Sequence, residues 1–148
     1  MDDAIRNPAV TALVSAVSAL PEVREWVNRR LRAIGGAGRS LVADGRDIGT
    51  VVFPEARLKI FLVASPLVRA TRRLAQRAEP IDRRRLDTET ARLAARDQAD
   101  SERAIAPLRQ AEDAVALDTT DLSFEAQVER ILTLWRGRHR VETGGARG

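Results

Sequence analysis

Leu41 to Phe53, LVADGRDIGTVVF, opens on a short apolar run that is cut at Asp44-Gly45 by a charged, glycine-marked turn. So short a run, closed by such a turn, reads as a buried strand rather than part of a helix. Two further runs follow, Leu58–Ala64 (LKIFLVA) and Ala114–Asp118 (AVALD), and the stretches between them carry helical spacing. Short apolar strands alternating with amphipathic helices specify an α/β fold, a parallel sheet flanked by helices. In open sheets of this kind ligands bind beyond the carboxyl ends of the strands, which makes Arg46 and Asp47 candidate site residues.

The turn has chemistry of its own. Gly45 and Gly49 allow positive φ or the close approach of a ligand, and Arg46 offers a planar fork suited to phosphate. Asp47 can accept hydrogen bonds from a base or a sugar, or orient a neighbouring arginine. The same four residues also fit a surface loop with one Arg–Asp ion pair, and spacing alone leaves both readings open.

The chain has 148 residues, 44% of them hydrophobic, enough for one core. No apolar run approaches the roughly 20 residues of a membrane span, and no signal-peptide pattern opens the sequence, so a soluble cytoplasmic protein without a membrane partner is expected. The absence of cysteine excludes disulfides and thiolate metal sites. Twenty-five basic residues against 21 acidic ones give a net charge of +4, and every basic residue except Lys59 is arginine. That balance suits phosphorylated partners, although codon bias toward arginine produces the same surplus. Aromatic residues make up 3% and the acids are interleaved with the arginines, which argues against nucleic acid as the partner.

Along the chain, Val10, Leu13, Val14 and Val17 have helical spacing, and Pro21 starts a second helix with Val23, Trp26, Val27, Leu31 and Ile34. Gly35-Gly36-Ala37-Gly38 reads as a flexible connector. It lacks a following Gly-Lys-Ser/Thr and is no phosphate-binding P-loop. Ser65-Pro66 caps a helix carrying Arg69, Arg72, Arg73 and Arg77 on and about one stripe. Glu79–Arg85 is polar and proline-broken, as a hinge or lid tip would be. Asp87 is a candidate N-cap for a helix to about Arg103, on which Arg96, Asp100 and Arg103 share a stripe. Such a stripe is either a salt-bridge ladder or a binding face. Asp121 and Ser123 are candidate caps of a last helix carrying Val128, Ile131, Leu132 and Trp135, and beyond Arg136 a patternless, disordered tail holding His139 is expected.

Four blocks in order, ADGRDIGTVVFPEARLKIFL, RATRR, ARDQADSERAIAPL and AEDAVALDTTDLSFE, resemble the carboxyl-terminal two-thirds of the bacterial cytidylate kinase family. The likeness runs from about Ile5 to Leu134. It implies transfer of the ATP γ-phosphoryl group to CMP or dCMP with Mg²⁺. It also implies three segments: a helical nucleoside-monophosphate-binding part over 1–38, the rest of the kinase core over 39–136 with a lid around 69–90, and the tail over 137–148. By the same resemblance Ser15, Arg24 and Asp47 would read cytosine, and Arg96 and Asp100 the sugar. Arg46 and Arg103 would hold the acceptor phosphate, while Arg72 and Arg73 would approach the transferring phosphoryl group from the lid.

No GxxxxGK[ST] occurs in the sequence, and its single lysine, Lys59, falls in an expected strand. The resemblance therefore implies a partial fold, lacking the central P-loop strand between Leu41–Asp44 and Leu58–Ala64. Those two strands would either close up and pair, or leave a slot for another segment or chain. A start assigned too late, and inactivity of the chain alone, are the expectations that follow. Neither ATP nor metal is expected to be held by this chain alone, and a non-catalytic CMP-binding remnant without ATP turnover is the alternative.

Overall fold

A computed structural model describes Val10, Leu13, Val17, residues 20–36 and residues 40–144. Ser15, Val14 and the Ala37-Gly38 part of the connector lie outside the described residues, as does the side chain of His139. Val10, Leu13 and Val17 are helical. The chain breaks at Leu20, which is extended, and Pro21 opens helix α1, Pro21–Gly35. Proline suits this first turn because its missing amide would have had no partner there.

From Leu41 to Asp44 the expected strand does not form. Val42 is 99% exposed, and the segment joins no ladder. An extended run whose amides and carbonyls find no neighbouring strand gains nothing from its β-prone side chains. It does not close onto the next strand either. Gly45–Asp47 bends instead into a single π-helical turn, Ile48–Val52. Neither Gly45 nor Gly49 takes a positive φ. What they supply is room: a Cβ on Gly45 would lie 2.7 Å from Ile48 Cγ1, and one on Gly49 would lie 3.3 Å from Lys59 Cδ.

The sheet has two strands, β1 (Ile60–Val63) and β2 (Val115–Asp118), narrower than expected but paired in parallel from Ile60↔Val115 to Val63↔Asp118. The crossover between them is helical: α2 spans Pro66–Gln76 and α3 spans Arg83–Glu102. Ser65 caps α2 by accepting from the Val68 amide at 3.3 Å. Asp82, not Asp87, caps α3, accepting from the Arg85 amide at 2.9 Å. The helix starts a turn earlier because Asp82 is the first acceptor after Pro80 and three arginines, good helix formers, follow it.

Ala70, Leu74 and Leu93 are buried where α2 packs on α3, and Val52 and Leu117 complete the buried apolar set among the described residues. Thr119 closes the sheet, its amide and hydroxyl both donating to Val63 O at 2.8 and 3.0 Å. The Thr120 hydroxyl accepts from the Ser65 amide at 2.9 Å, tying the start of α2 to the end of β2. Ser123 accepts from the Ala126 amide at 3.2 Å and caps α4, Phe124–Gly144, which runs past Arg136, where the sequence pattern ends.

Candidate functional site

Three elements meet at Asp100. It lies near the end of α3, where spacings of four and three put Arg96 and Arg103 on its stripe. Arg103 Nη1 is 3.7 Å from Asp100 Oδ1, and Arg96 Nε is 4.0 Å from Oδ2. The third arginine arrives from a distant part of the sequence: the Gly45–Asp47 bend carries Arg46 Nε to 2.9 Å from Asp100 Oδ2. Arg103 also donates to Ala106 O at 2.9 Å, and the Leu108 amide donates to Asp100 O at 2.8 Å, which folds the chain after α3 back over its own last turn.

Asp47 faces the other way along the same bend and pairs with Arg24 of α1. Arg46 and Asp47 thus do not pair with each other, as a simple surface loop would have had it. Each ties the bend to a different helix. Asp47 is buried, and its carbonyl accepts the amides of Thr50, Val51 and Val52 at 3.3, 2.9 and 3.2 Å. Arg24, Arg46, Asp47, Arg96, Asp100 and Arg103 therefore form one connected set on α1, the bend and α3, while Ser15 lies outside the described residues.

Within this set two buried polar atoms, Asp100 Oδ2 and Arg103 Nε, lack an aligned hydrogen-bond partner. The 2.9 Å approach of Arg46 to Asp100 Oδ2 is an ion pair off the hydrogen-bond axis. Buried polar atoms are nearly always satisfied in folded proteins, and at Asp100 Oδ2 the ion pairs with Arg46 and Arg96 stand in for the missing hydrogen bond. Three guanidinium groups around one carboxylate leave a surplus of about two positive charges for a ligand to neutralise.

The charged seam continues along α3 toward α2. Arg69 pairs with Asp97 through both guanidinium nitrogens, one contact being 3.1 Å. The hydrogen bonds from Arg69 hold the Asp97 carboxyl below its ordinary value against the opposing effect of burial, and the charges of Arg69, Arg46 and Arg96 add to that. Buried Glu89 accepts from Arg92 at 2.7 Å and from Arg77 at 2.9 Å. The Arg92 hydrogen bond contributes most to lowering its pKa, with Arg77 adding to it and burial opposing.

Arg72 and Arg73 are not part of the Asp100 cluster. Arg72 reaches the loop after β2, donating to Thr119 O at 2.6 Å, Thr119 Oγ1 at 3.2 Å and Leu122 O at 3.0 Å. Arg73 stands 4.0 Å from Glu89, and its pKa is lowered first by burial and then by the charges of Arg92 and Arg96. Arg69, Arg72 and Arg73 line an open groove of about 200 Å³ with Gln76 and Leu93.

Sequence reasoning did not assign roles to Asp97, Glu89 or Arg32. Asp97 and Arg69 are 28 positions apart on two helices, and only the packing of α2 on α3 brings them together. Among the described residues no group of three His, Asp or Glu could hold a metal ion. Asp47, Asp97 and Asp100 are each committed to arginine. These three carboxylates are thus engaged by guanidinium groups rather than left open toward a cation. Lys59 is likewise committed, to Asp113 at 2.8 Å. No helix among the described residues is long and apolar enough to cross a membrane.

Residues 1–137 match the family model described as cytidylate kinase. The chain is 49% identical over 131 residues to a cytidylate kinase of Pseudomonas fluorescens, covering 88% of this chain and 57% of the relative. A cytidylate kinase of Stutzerimonas stutzeri is 50% identical over 131 residues, with the same shares covered. The chain is also 51% identical over 138 residues to a bifunctional pantoate ligase/cytidylate kinase of Synechococcus elongatus, covering 91% of this chain and 25% of that protein. The chain thus spans little more than half the length of the cytidylate kinases it matches.

Proposed function

Because the chain belongs to the cytidylate kinase family, we propose that it carries the acceptor side of an ATP-dependent phosphoryl transfer to CMP or dCMP. The observation that carries this reading is the gathering of Arg46, Arg96 and Arg103 on Asp100. The charge surplus of that cluster suits a nucleotide monoester phosphate, which bears about −1.5 to −2 at pH 7. In this reading Arg46 and Arg103 hold the acceptor phosphate, and Arg96 and Asp100 take the sugar hydroxyls. Asp47, oriented by Arg24, accepts from the cytosine amino group, with Ser15 at the far side of the base. Arg72 and Arg73, on the groove of α2, approach the phosphoryl group in transfer. Arg72 has to leave the Thr119 and Leu122 carbonyls to do so.

Donor binding is the part that this chain does not supply by itself. It has no GxxxxGK[ST] loop, and Lys59 is held by Asp113. We therefore propose that turnover needs a further segment or another chain, one that brings a phosphate-binding loop and Mg²⁺ and completes the sheet beside β1. Both nucleotides would be met in the cytoplasm. The second reading, a CMP-binding module without ATP turnover, is favoured by the same commitment of Lys59.

Titration calorimetry with CMP, dCMP, UMP and AMP tests the acceptor site. Selective binding of the cytosine nucleotides is expected, and equal or stronger binding of AMP overturns the assignment. A coupled assay with ATP and Mg²⁺ separates the two readings: no turnover by the chain alone is expected under both, and turnover regained on adding a P-loop-bearing segment favours the kinase.

A further inference from the structure

Helix α1 grips the bend-and-turn segment twice. Arg24 holds its start through Asp47. Eight residues later, roughly 12 Å along the axis at about 1.5 Å per residue, Arg32 holds its end. Arg32 Nη2 donates to Val51 O at 2.7 Å and Nε donates to Val52 O at 3.1 Å. The carbonyls at the trailing end of a helix have no donor within it, and these two are the last of the π-turn. A guanidinium is the one side chain that meets both with a single rigid fork.

The turn so clamped is an uncommon one. π-Helical turns are rare, occur mostly as single turns and are frequent at functional sites. Here the Asp47 carbonyl opens the turn by accepting three amides, and the Phe53 amide closes it on Ile48 O at 2.7 Å. The backbone of Asp47 is thus both the first member of the turn and the support of the carboxylate that meets Arg24. Arg46 precedes it by one residue. Any relaxation of the Val51-Val52 end toward a tighter winding rotates Asp47, and with it the direction of Arg46.

We infer that Arg32 is a positioning residue for nucleotide recognition: by satisfying Val51 O and Val52 O it holds the π-turn that fixes Asp47 toward Arg24 and Arg46 toward Asp100. It acts through the turn and touches neither base nor phosphate. The inference deepens the acceptor-nucleotide reading and rests on it.

The test uses the whole chain and the variants Arg32→Ala and Arg32→Lys, with Arg29→Ala as a control, since among the described residues Arg29 pairs only with exposed Glu25, at 3.8 Å. Calorimetry reads CMP and UMP affinity, and amide hydrogen exchange reads Thr50–Phe53 against β1 and β2. Arg32→Ala is expected to weaken CMP binding by about tenfold or more, as loss of two charge-assisted hydrogen bonds would, and to narrow the preference for CMP over UMP. Exchange should quicken at Thr50–Phe53 and stay unchanged in the strands. Arg32→Lys should recover the affinity only in part, because an ammonium cannot reproduce the fork. A folded Arg32→Ala protein that binds CMP as the wild type does overturns the inference. If that variant does not fold, wild-type affinity in Arg32→Lys overturns it instead. Failure of the wild-type chain to bind CMP removes the acceptor reading itself, a result distinct from a wild type that binds and a variant that binds equally well.

Discussion

Replacing Asp100 by Asn removes one negative charge at almost constant volume and leaves Arg46, Arg96 and Arg103 with only Asp97, already paired with Arg69, as a nearby counter-charge. The Asp100 side chain is 17% exposed, and Arg46 stands 2.9 Å away. Fully exposed pairs contribute about 0–1 kcal/mol, and stripping one partner from a fully buried pair costs about 3–5 kcal/mol. A carboxylate this far from solvent, with partners still partly wet, falls between them, at about 1–3 kcal/mol. For a chain of this size that corresponds to a fall in melting temperature of roughly 3–10 °C. The surplus charge also makes a second, opposite prediction. A dianion placed among three guanidinium groups that have lost their shared carboxylate replaces it, so inorganic phosphate or CMP should raise the melting temperature of Asp100→Asn more than that of the wild type. Thermal unfolding with and without excess phosphate measures both effects. A variant that melts within about 1 °C of the wild type and responds equally to phosphate would show that Asp100 does not hold these arginines, and the charge argument for a phosphate site would fail with it.

Acid should unfold the protein through α2 and α3. The Asp97 and Glu89 pKa values are lowered in the folded state, so their stabilisation is full above the ordinary carboxylate range of about 3.9–4.3. It is lost as the pH falls below that range toward their folded values. Denaturant midpoints measured from neutral pH downward should drop below that range, and Asp97→Asn should flatten the drop. Leu74→Ala, at a side chain 2% exposed between α2 and α3, should cost about 2–5 kcal/mol, a large share of a domain's stability, read as a shift in the denaturant midpoint. Leu62→Asp and Leu117→Asp should differ sharply although both lie in the sheet. Leu62 is 55% exposed and Leu117 8%, so the first should change the midpoint little and the second should prevent folding, as circular dichroism would show.

What could be read from the sequence divides along physical lines. Ser65, Pro21 and Ser123 mark helix starts because capping depends on a few adjacent atoms, and the Arg96–Asp100–Arg103 stripe follows from helical periodicity alone. Local chemistry of this kind survives translation into structure. The Leu41–Asp44 strand did not, because strand formation depends on a neighbour's backbone, which no property of those four residues can supply. Asp82 and Asp87 are two acceptors within one polar stretch, and Asp82 is the cap because it is the first after Pro80 and good helix formers follow it. Arg46 reaching Asp100, 54 positions later, could be expected only through the resemblance. Nothing in spacing joins a bend to the end of a distant helix.

The distribution of burial carries this one step further. Parallel strands are ordinarily covered on both faces, yet Leu62 and Val63 of β1 are exposed, and three of the five buried apolar side chains among the described residues lie at α2–α3. The arginine–carboxylate network does not draw on the sheet for any of its members: Arg24 is on α1, Arg46 and Asp47 are on the bend, and Arg96, Asp100 and Arg103 are on α3 or at its end. Its supports are a clamp from α1, a π-turn and a helix stripe, all formed among the described residues. On the proposed reading, recognition of an acceptor nucleotide and completion of the sheet are therefore separable. A change that covers β1 should raise stability without altering the selectivity for cytosine, whereas a change at Arg24 or Asp47 should alter selectivity while the α2–α3 core stays intact.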